Sequence, residues 1–431
     1  MPSLVHFGVR AWSLGRAVRS NSCDRILMRT DRTPGKALAA AGFGSRDQRA
    51  STRILQTDEP CIVQMQRMLA GKPDVLSLAQ GIVHWQPPKA ALDAAASFVY
   101  DPRASRYCPD DGIPELREAL AHKLAAENGL QDADVMVTAG ANQGFMNIVL
   151  ALLDAGSKAV LFAPYYFNHL MALQMTGAEI EIAECDARFV PDMDKLEAVL
   201  AKGDVTMVVL CNPCNPTGVV TPKATLERCA EMCKKAGAWL VLDNTYEHFT
   251  YDGAEHHCVQ ADHVINLFSF SKAFGMMGWR IGYVAIPAGG LRDELLKAQD
   301  TIPICPTVTS QIVALNALQS GGRAWVNEKI AGLAINREVV RAALKPLGDD
   351  AVIHSDGAIY MWMRLPEDCP DDKKVVEWLV NKHGVCVIPG SACGMPGYLR
   401  VAFSNNAEDA CAAAAARLER GLHQLVTDRS M

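Results

Sequence analysis

Nothing in this 431-residue chain approaches the ~18–20 consecutive apolar residues of a membrane-spanning helix, so the sequence offers no candidate transmembrane helix. An excess of positive charge is also missing. The formal net charge is -6, which removes the electrostatic basis for binding nucleic acid or an anionic membrane surface. The fourteen cysteines are scattered and form no repeated C-x-x-C pair. Cys211-x-x-Cys214 is interleaved with prolines and has no second half, so no metal is expected and free thiols in a reducing compartment are. The low hydrophobicity of a disordered chain is absent too, with 49% hydrophobic and 21% charged residues. What remains is a globular protein long enough for two or three domains, with small molecules as its partners.

The first fifty or so residues differ from the rest. Up to Arg53 there are nine arginines against three acids (Asp24, Asp31, Asp47), with serines and no apolar periodicity. That composition suits an organellar transit peptide, and it suits an unstructured extension equally; it lacks the apolar core of a secretory signal. Residues 1–55 are therefore set apart as a disordered leader. The expected location is cytoplasmic, or mitochondrial or plastid if the leader is a transit peptide.

From about residue 60 the pattern becomes regular. Helices are expected over 62–69, 89–100 and 115–127, the last with Pro114 in its first turn. Apolar runs at 135–137, 160–162, 180–182, 207–210, 239–242 and 264–268 alternate with helical stretches, the signature of a mostly parallel sheet covered on both faces. In such sheets ligands sit at the carboxyl ends of the strands. After helices at 291–299 and 327–344, strands at 358–365, 385–388 and 398–403 with helices at 374–382 and 407–425 describe a smaller α+β region. The fold class is α/β.

The notable polar residues fall where such a sheet binds its ligand. Lys272 follows the 264–268 run within S-F-S-K-A-F-G-M-M-G-W, and Arg280 stands eight positions on. Desolvation lowers a lysine pKa and exposes a nucleophilic amine, while a guanidinium and the hydroxyls of Ser269 and Ser271 suit a phosphate monoester. Together these describe a pyridoxal phosphate site; two loop cations facing water are the alternative. The turn Thr138-Ala139-Gly140-Ala141-Asn142 opens a helix and offers a second phosphate-binding element, or a purely geometric glycine turn. Asp243 ends the 239–242 run, either as partner of a protonated pyridine nitrogen or as an N-cap. Arg400 lies inside an apolar strand and calls for a bidentate anion, a substrate carboxylate or a structural carboxylate.

Five elements in this order, the G-A-N turn, N-P-x-N-P-T-G at 212–218, D-x-x-Y at 243–246, S-x-S-K at 269–272 and the late arginine strand, resemble the class I aminotransferases of pyridoxal-phosphate fold type I. The likeness spans roughly 60–425. It implies a large domain with a mostly parallel seven-stranded sheet and a smaller α+β domain, divided here into an arm and small-domain segment (56–100), a large cofactor-binding domain (101–320) and a C-terminal domain (321–431). Lys272 would form the internal aldimine and then move the substrate proton. Asp243 would hold the ring nitrogen, with Tyr246 and Asn215 on the phenolic oxygen. Ala141, Asn142, Ser269, Ser271 and Arg280 would surround the phosphate, and Tyr166 would stack on the ring. Tyr107, in Tyr107-x-Pro109-x-x-Gly112, would reach the phosphate of a neighbouring subunit, which implies a homodimer. Arg400 would grip the α-carboxylate, beside the backbone near Gly81.

The run 77–88 is similar to that of plant aromatic-type aminotransferases, which implies transfer between methionine or aromatic amino acids and 2-oxo acids. Ile82, Val83, Trp85 and Ile302-Pro303-Ile304 are the expected apolar walls, and no second arginine stands out for a side-chain carboxylate. Two rivals share the scaffold. One is a lyase of the carbon–sulfur or aminocyclopropane-carboxylate synthase type. The other is a cofactor-sensing regulator, for which no helix-turn-helix is found.

Overall fold

The computed structural model describes residues 50–369 and 371–428. Most of the expected leader, residues 1–49, lies outside them; of the remainder, Thr52–Gln56 is a short helix capped by Ser51.

Twelve strands occur among the described residues. The first, β1 (Leu76–Ser77), is a strand of two residues. The central sheet follows with β2 (Asp134–Thr138), β3 (Lys158–Ala163), β4 (Glu179–Glu184), β5 (Val205–Cys211), β6 (Trp239–Asp243), β7 (Val264–Ser269) and β8 (Gly282–Ile286). Its order is β2-β8-β7-β6-β5-β3-β4. Pairing is parallel from β4 through β7, and β8 inserts antiparallel between β7 and β2. β8 is the seventh strand, which none of the six expected apolar runs covers.

The runs are continuously apolar because both faces are covered. Leu161, Val209 and Val241 pack on one side with Phe145 and Ile148 of the helix Ala141–Leu152. Their neighbours Val160, Val208, Leu210 and Leu240 pack on the other with Leu196, Leu226 and Cys229 of the helices Met193–Leu200 and Lys223–Ala236. Successive side chains point to opposite faces, so each residue of a run is buried in turn.

The remaining strands are β9 (Tyr360–Arg364), β10 (Val385–Cys386), β11 (Ile388–Pro389) and β12 (Tyr398–Ala402). β11, β12 and β9 form an antiparallel three-stranded sheet, while β10 pairs in parallel with β1. The expected strand 385–388 is thus two short strands serving two sheets, broken at Val387. The expected helix 327–344 is also divided, into Gly322–Ala331 and Ala334–Ala343. Gly332, the poorest helix former in that stretch, stands at the break. The helix Val308–Ser320, which the sequence reading passed over, packs against Lys89–Phe98. The expected helix 374–382 is Asp372–Trp378, followed by a wide π-helical turn, Leu379–His383.

Candidate active site

The carboxyl ends of β2, β5, β6 and β7 converge on a cavity of about 260 Å³. Its lining includes Gly81, Ala141, Asn142, Tyr166, Asn215, Asp243, Tyr246, Ser269, Ser271, Lys272, Arg280 and Arg400. Every candidate site residue but one is therefore in one place. The exception is Tyr107, which is outside the cavity and 78% exposed.

Lys272 leaves the end of β7 and donates from Nζ to the carbonyl of Gly81. Burial, then the charges of Arg280 and Arg400, pull its pKa down from 10.5 to about 8. A lysine so placed has a substantial neutral fraction near neutral pH, which is what a nucleophilic amine needs. Arg280 sits at φ 56, a left-handed backbone that a long side chain adopts only when held. It donates to the carbonyls of Met277 (2.9 Å) and Ala139 (3.4 Å). At Gly140, φ 89, an added Cβ would overlap Arg280 Nη2, so the glycine lets the β2 turn and the guanidinium share one wall. The Ser269 hydroxyl accepts from the Ser271 amide at 3.1 Å. This wall joins a guanidinium, two hydroxyls and the N-terminal turn of the helix Ala141–Leu152, a donor set suited to a phosphate monoester.

Asp243 ends β6, 4% exposed. One carboxylate oxygen meets His169 Nε2 at 3.0 Å; the other accepts from the Thr245 amide (3.0 Å) and hydroxyl (2.6 Å). Burial alone would raise this carboxyl, but the His169 hydrogen bond and charge, with the Thr245 donors, hold it below the ordinary carboxylate range. Asp243 is thus an anion at neutral pH, able to hold a proton on a pyridine nitrogen. Its N-cap alternative falls away, because Thr245 takes the turn bonds while no helix follows.

Arg400, on β12, is 1% exposed. Nη1 donates to Asn215 Oδ1 and Nη2 to the Ala79 carbonyl, both at 2.8 Å, and Nε has no protein partner. No acid pairs with this guanidinium among the described residues, so the structural salt bridge is not made. Its Cζ lies 4.2 Å from the Tyr360 ring centroid. The Tyr360 hydroxyl in turn meets that of Tyr246 at 2.6 Å. Tyr166 reaches Asn142 Oδ1 at 3.5 Å, receives a bond from Asn168 at 3.1 Å, and stands edge-on to His169.

His169, Thr245 and Tyr360 escaped the sequence reading. His169 lies one turn beyond Tyr166 on the helix Phe167–Thr176, a spacing that brings two side chains together and was the available signal. Tyr360 was hidden in an apolar strand. The expected walls need correction: of Ile82, Val83, Trp85, Ile302, Pro303 and Ile304, only Ile82 lines the cavity. Val83 and Trp85 turn into the core, where Trp85 stacks on Phe249 and donates to the Ala273 carbonyl. Ile302 and Ile304 are exposed. Ile62, Phe167 and Met277 supply apolar lining instead.

Among known proteins, the aminotransferase class I and II family profile matches residues 73–418. An aromatic aminotransferase of Arabidopsis thaliana, ISS1, is 50% identical over 383 residues, 87% of this chain and 97% of that protein. An aspartate/prephenate aminotransferase of Thermus thermophilus is 32% identical, over 78% of this chain and 88% of its own. The solved structure of the Thermus thermophilus aspartate aminotransferase with maleate superimposes with a TM-score of 0.80 at 29% identity, covering 87% of this chain and all of that one.

Proposed function

The chain belongs to the class I and II aminotransferases, enzymes that work with pyridoxal phosphate, and from that premise we propose that it moves the amino group between aromatic or methionine-like amino acids and 2-oxo acids. Lys272 would hold the cofactor covalently, Asp243 its ring nitrogen, Tyr246 and Asn215 its phenolic oxygen. Ala141, Asn142, Ser269, Ser271 and Arg280 would hold its phosphate, and Tyr166 would lie against its ring. When bound, the cofactor supplies an electron sink for charge developing at the substrate α-carbon. Arg400 would bind the α-carboxylate through the donors it has to spare, beside the backbone of Gly81. The Lys272 amine, with its lowered pKa, would then take a proton from the α-carbon and return one on the other side of the transfer. Asp243 would keep the ring nitrogen protonated throughout.

One observation carries the substrate class. Among the described residues of one chain, the cations lining the cavity are Lys272, Arg280 and Arg400, each with a role already, and the apolar lining is Ile62, Ile82, Phe167 and Met277. A side-chain carboxylate would meet no cation of its own there, whereas an aromatic or thioether side chain would gain apolar contact. Turnover of methionine, phenylalanine and aspartate with phenylpyruvate as acceptor tests this; preference for aspartate would end it. The relatives reported above are aminotransferases by name, which favours transamination over the lyase reading.

The same proposal includes a homodimer, supported by the exposure of Tyr107 outside its own cavity, and tested by sedimentation. It keeps the division into a small lobe (56–100 with 321–431) and a large one (101–320). Among the described residues no helix is long and apolar enough to cross a membrane. The compartment, cytoplasm or an organelle, would follow from whether the arginine-rich leader is cleaved.

A further inference from the structure

Tyr360 projects from β9 between two groups that the proposed reaction uses. Its hydroxyl lies 2.6 Å from that of Tyr246, and its ring lies under the Arg400 guanidinium. Both tyrosines are buried, at 2% and 3% exposure, and an added Cβ on Gly81 would overlap the Tyr360 hydroxyl. The glycine therefore makes room for this hydroxyl as well as presenting its carbonyl to Lys272.

Two hydroxyls that share one bond leave one proton over. Burial raises both phenols and the Arg400 charge lowers both, ranking next after burial for Tyr360 and behind the neighbouring tyrosines for Tyr246, which ends well above its ordinary range. Either hydroxyl could donate in this bond, but the Arg400 guanidinium lies against the Tyr360 ring and draws charge from that phenol, which favours Tyr360 as the donor and leaves the proton of Tyr246 for an acceptor in the cavity. A hydroxyl that accepts a bond also donates a stronger one.

We propose that Tyr360 is a positioning residue: its hydroxyl fixes Tyr246 as a donor to the cofactor's phenolic oxygen and strengthens that bond. The inference rests on the reading that Tyr246 faces the phenolic oxygen. Its consequence falls on the nitrogen joining Lys272 to the cofactor. While that nitrogen holds its proton, the phenolic oxygen has an internal partner; once the proton leaves, the oxygen depends on Tyr246. A stronger Tyr246 donor thus favours loss of the proton.

The test is a pH titration of holoenzyme absorbance for wild type, Tyr360→Phe, Tyr246→Phe and the double variant. Tyr360→Phe keeps the ring on Arg400 and removes only the hydroxyl; it raises the midpoint by about half a unit. Tyr246→Phe raises it further, and the double variant matches Tyr246→Phe alone, because Tyr360 acts through Tyr246. The double variant leaves no orphaned hydroxyl, so it secures a folded comparison. No shift in Tyr360→Phe beside a shift in Tyr246→Phe overturns the inference and spares the reading of Tyr246. Additive shifts in the double variant overturn it as well. No shift in Tyr246→Phe overturns both.

Discussion

Replacing Arg400 by lysine keeps the charge and removes the fork. Arg400 uses Nη1 on Asn215 and Nη2 on Ala79, each at 2.8 Å, and keeps donors to spare, the buried Nε among them. A planar guanidinium can keep these partners and still present two parallel N–H groups to a carboxylate; an ammonium cannot. The variant therefore forfeits about one charge-assisted hydrogen bond to the substrate, worth roughly 1.5–3 kcal/mol. That is about a 10- to 150-fold loss of kcat/KM for phenylalanine. Since the carboxylate is held before and during the reaction alike, the loss appears mainly in KM. The companion assay compares two unreactive ligands, 3-phenylpropionate and 3-phenylpropionamide, which share a side chain and differ in the carboxylate. The inhibition constant of the acid should rise within the same range while that of the amide stays within about twofold, below 0.5 kcal/mol. Equal changes for both would refute the assignment, because the arginine would then be acting on the fold or the ring.

Three other outcomes follow from the geometry. The rate at which apoprotein captures pyridoxal phosphate should rise with pH through about 8, where Lys272 loses its proton; a midpoint near the ordinary lysine value of 10.5 would contradict its burial beside Arg280 and Arg400. Between those values the unfolded chain still holds the proton that the folded chain has lost, so this group makes the apoprotein more stable as pH rises. His169→Leu removes the main support of the depressed Asp243 carboxyl, whose stabilising contribution is present above the unfolded carboxylate pKa and lost as pH falls. The acid limb of kcat/KM should consequently move to higher pH, and an unchanged limb would sink that role. Lys123→Met removes the cation bonded to Glu247, which is 7% exposed and held down to about 2 against its burial by the charges of Lys123, His248 and His256, and leaves the Asn128 amide as its remaining short donor. Denaturant unfolding should show a loss of about 3–5 kcal/mol, largely recovered in Lys123→Met/Glu247→Leu; a stable single variant would show that the pair is not buried.

The parallel sheet was legible because strands covered on both faces leave uninterrupted apolar runs, as at 207–210 and 239–242, and because the run 239–242 ends in Asp243, a charge that reaches the cavity. Lys272, Asp243 and Arg400 stood out for a related reason, as charges set against apolar strand context. β8 escaped because Gly282-Tyr283-Val284-Ala285-Ile286 follows closely on the glycine-rich stretch after Lys272 and reads as its continuation. Pairing across different sheets, as at 385–389, depends on partners far away in sequence. The polar contacts behind the first layer were harder to see for the same reason: the one-turn spacing of His169 from Tyr166 points to the cavity but not to Asp243, and nothing local marks Tyr360 as the partner of Tyr246. The walls at Val83 and Trp85 were misassigned because proximity along the chain to Gly81 says nothing about which way a side chain turns, and the apolar Ile302 and Ile304 face solvent instead.

The role of Lys272 in holding the cofactor is central to this chemistry, and its amine can be marked chemically. Reducing the pyridoxal phosphate-loaded enzyme with borohydride and mapping its peptides should place a single phosphopyridoxyl group on Lys272. A group found on another lysine, or none retained after reduction, would contradict it.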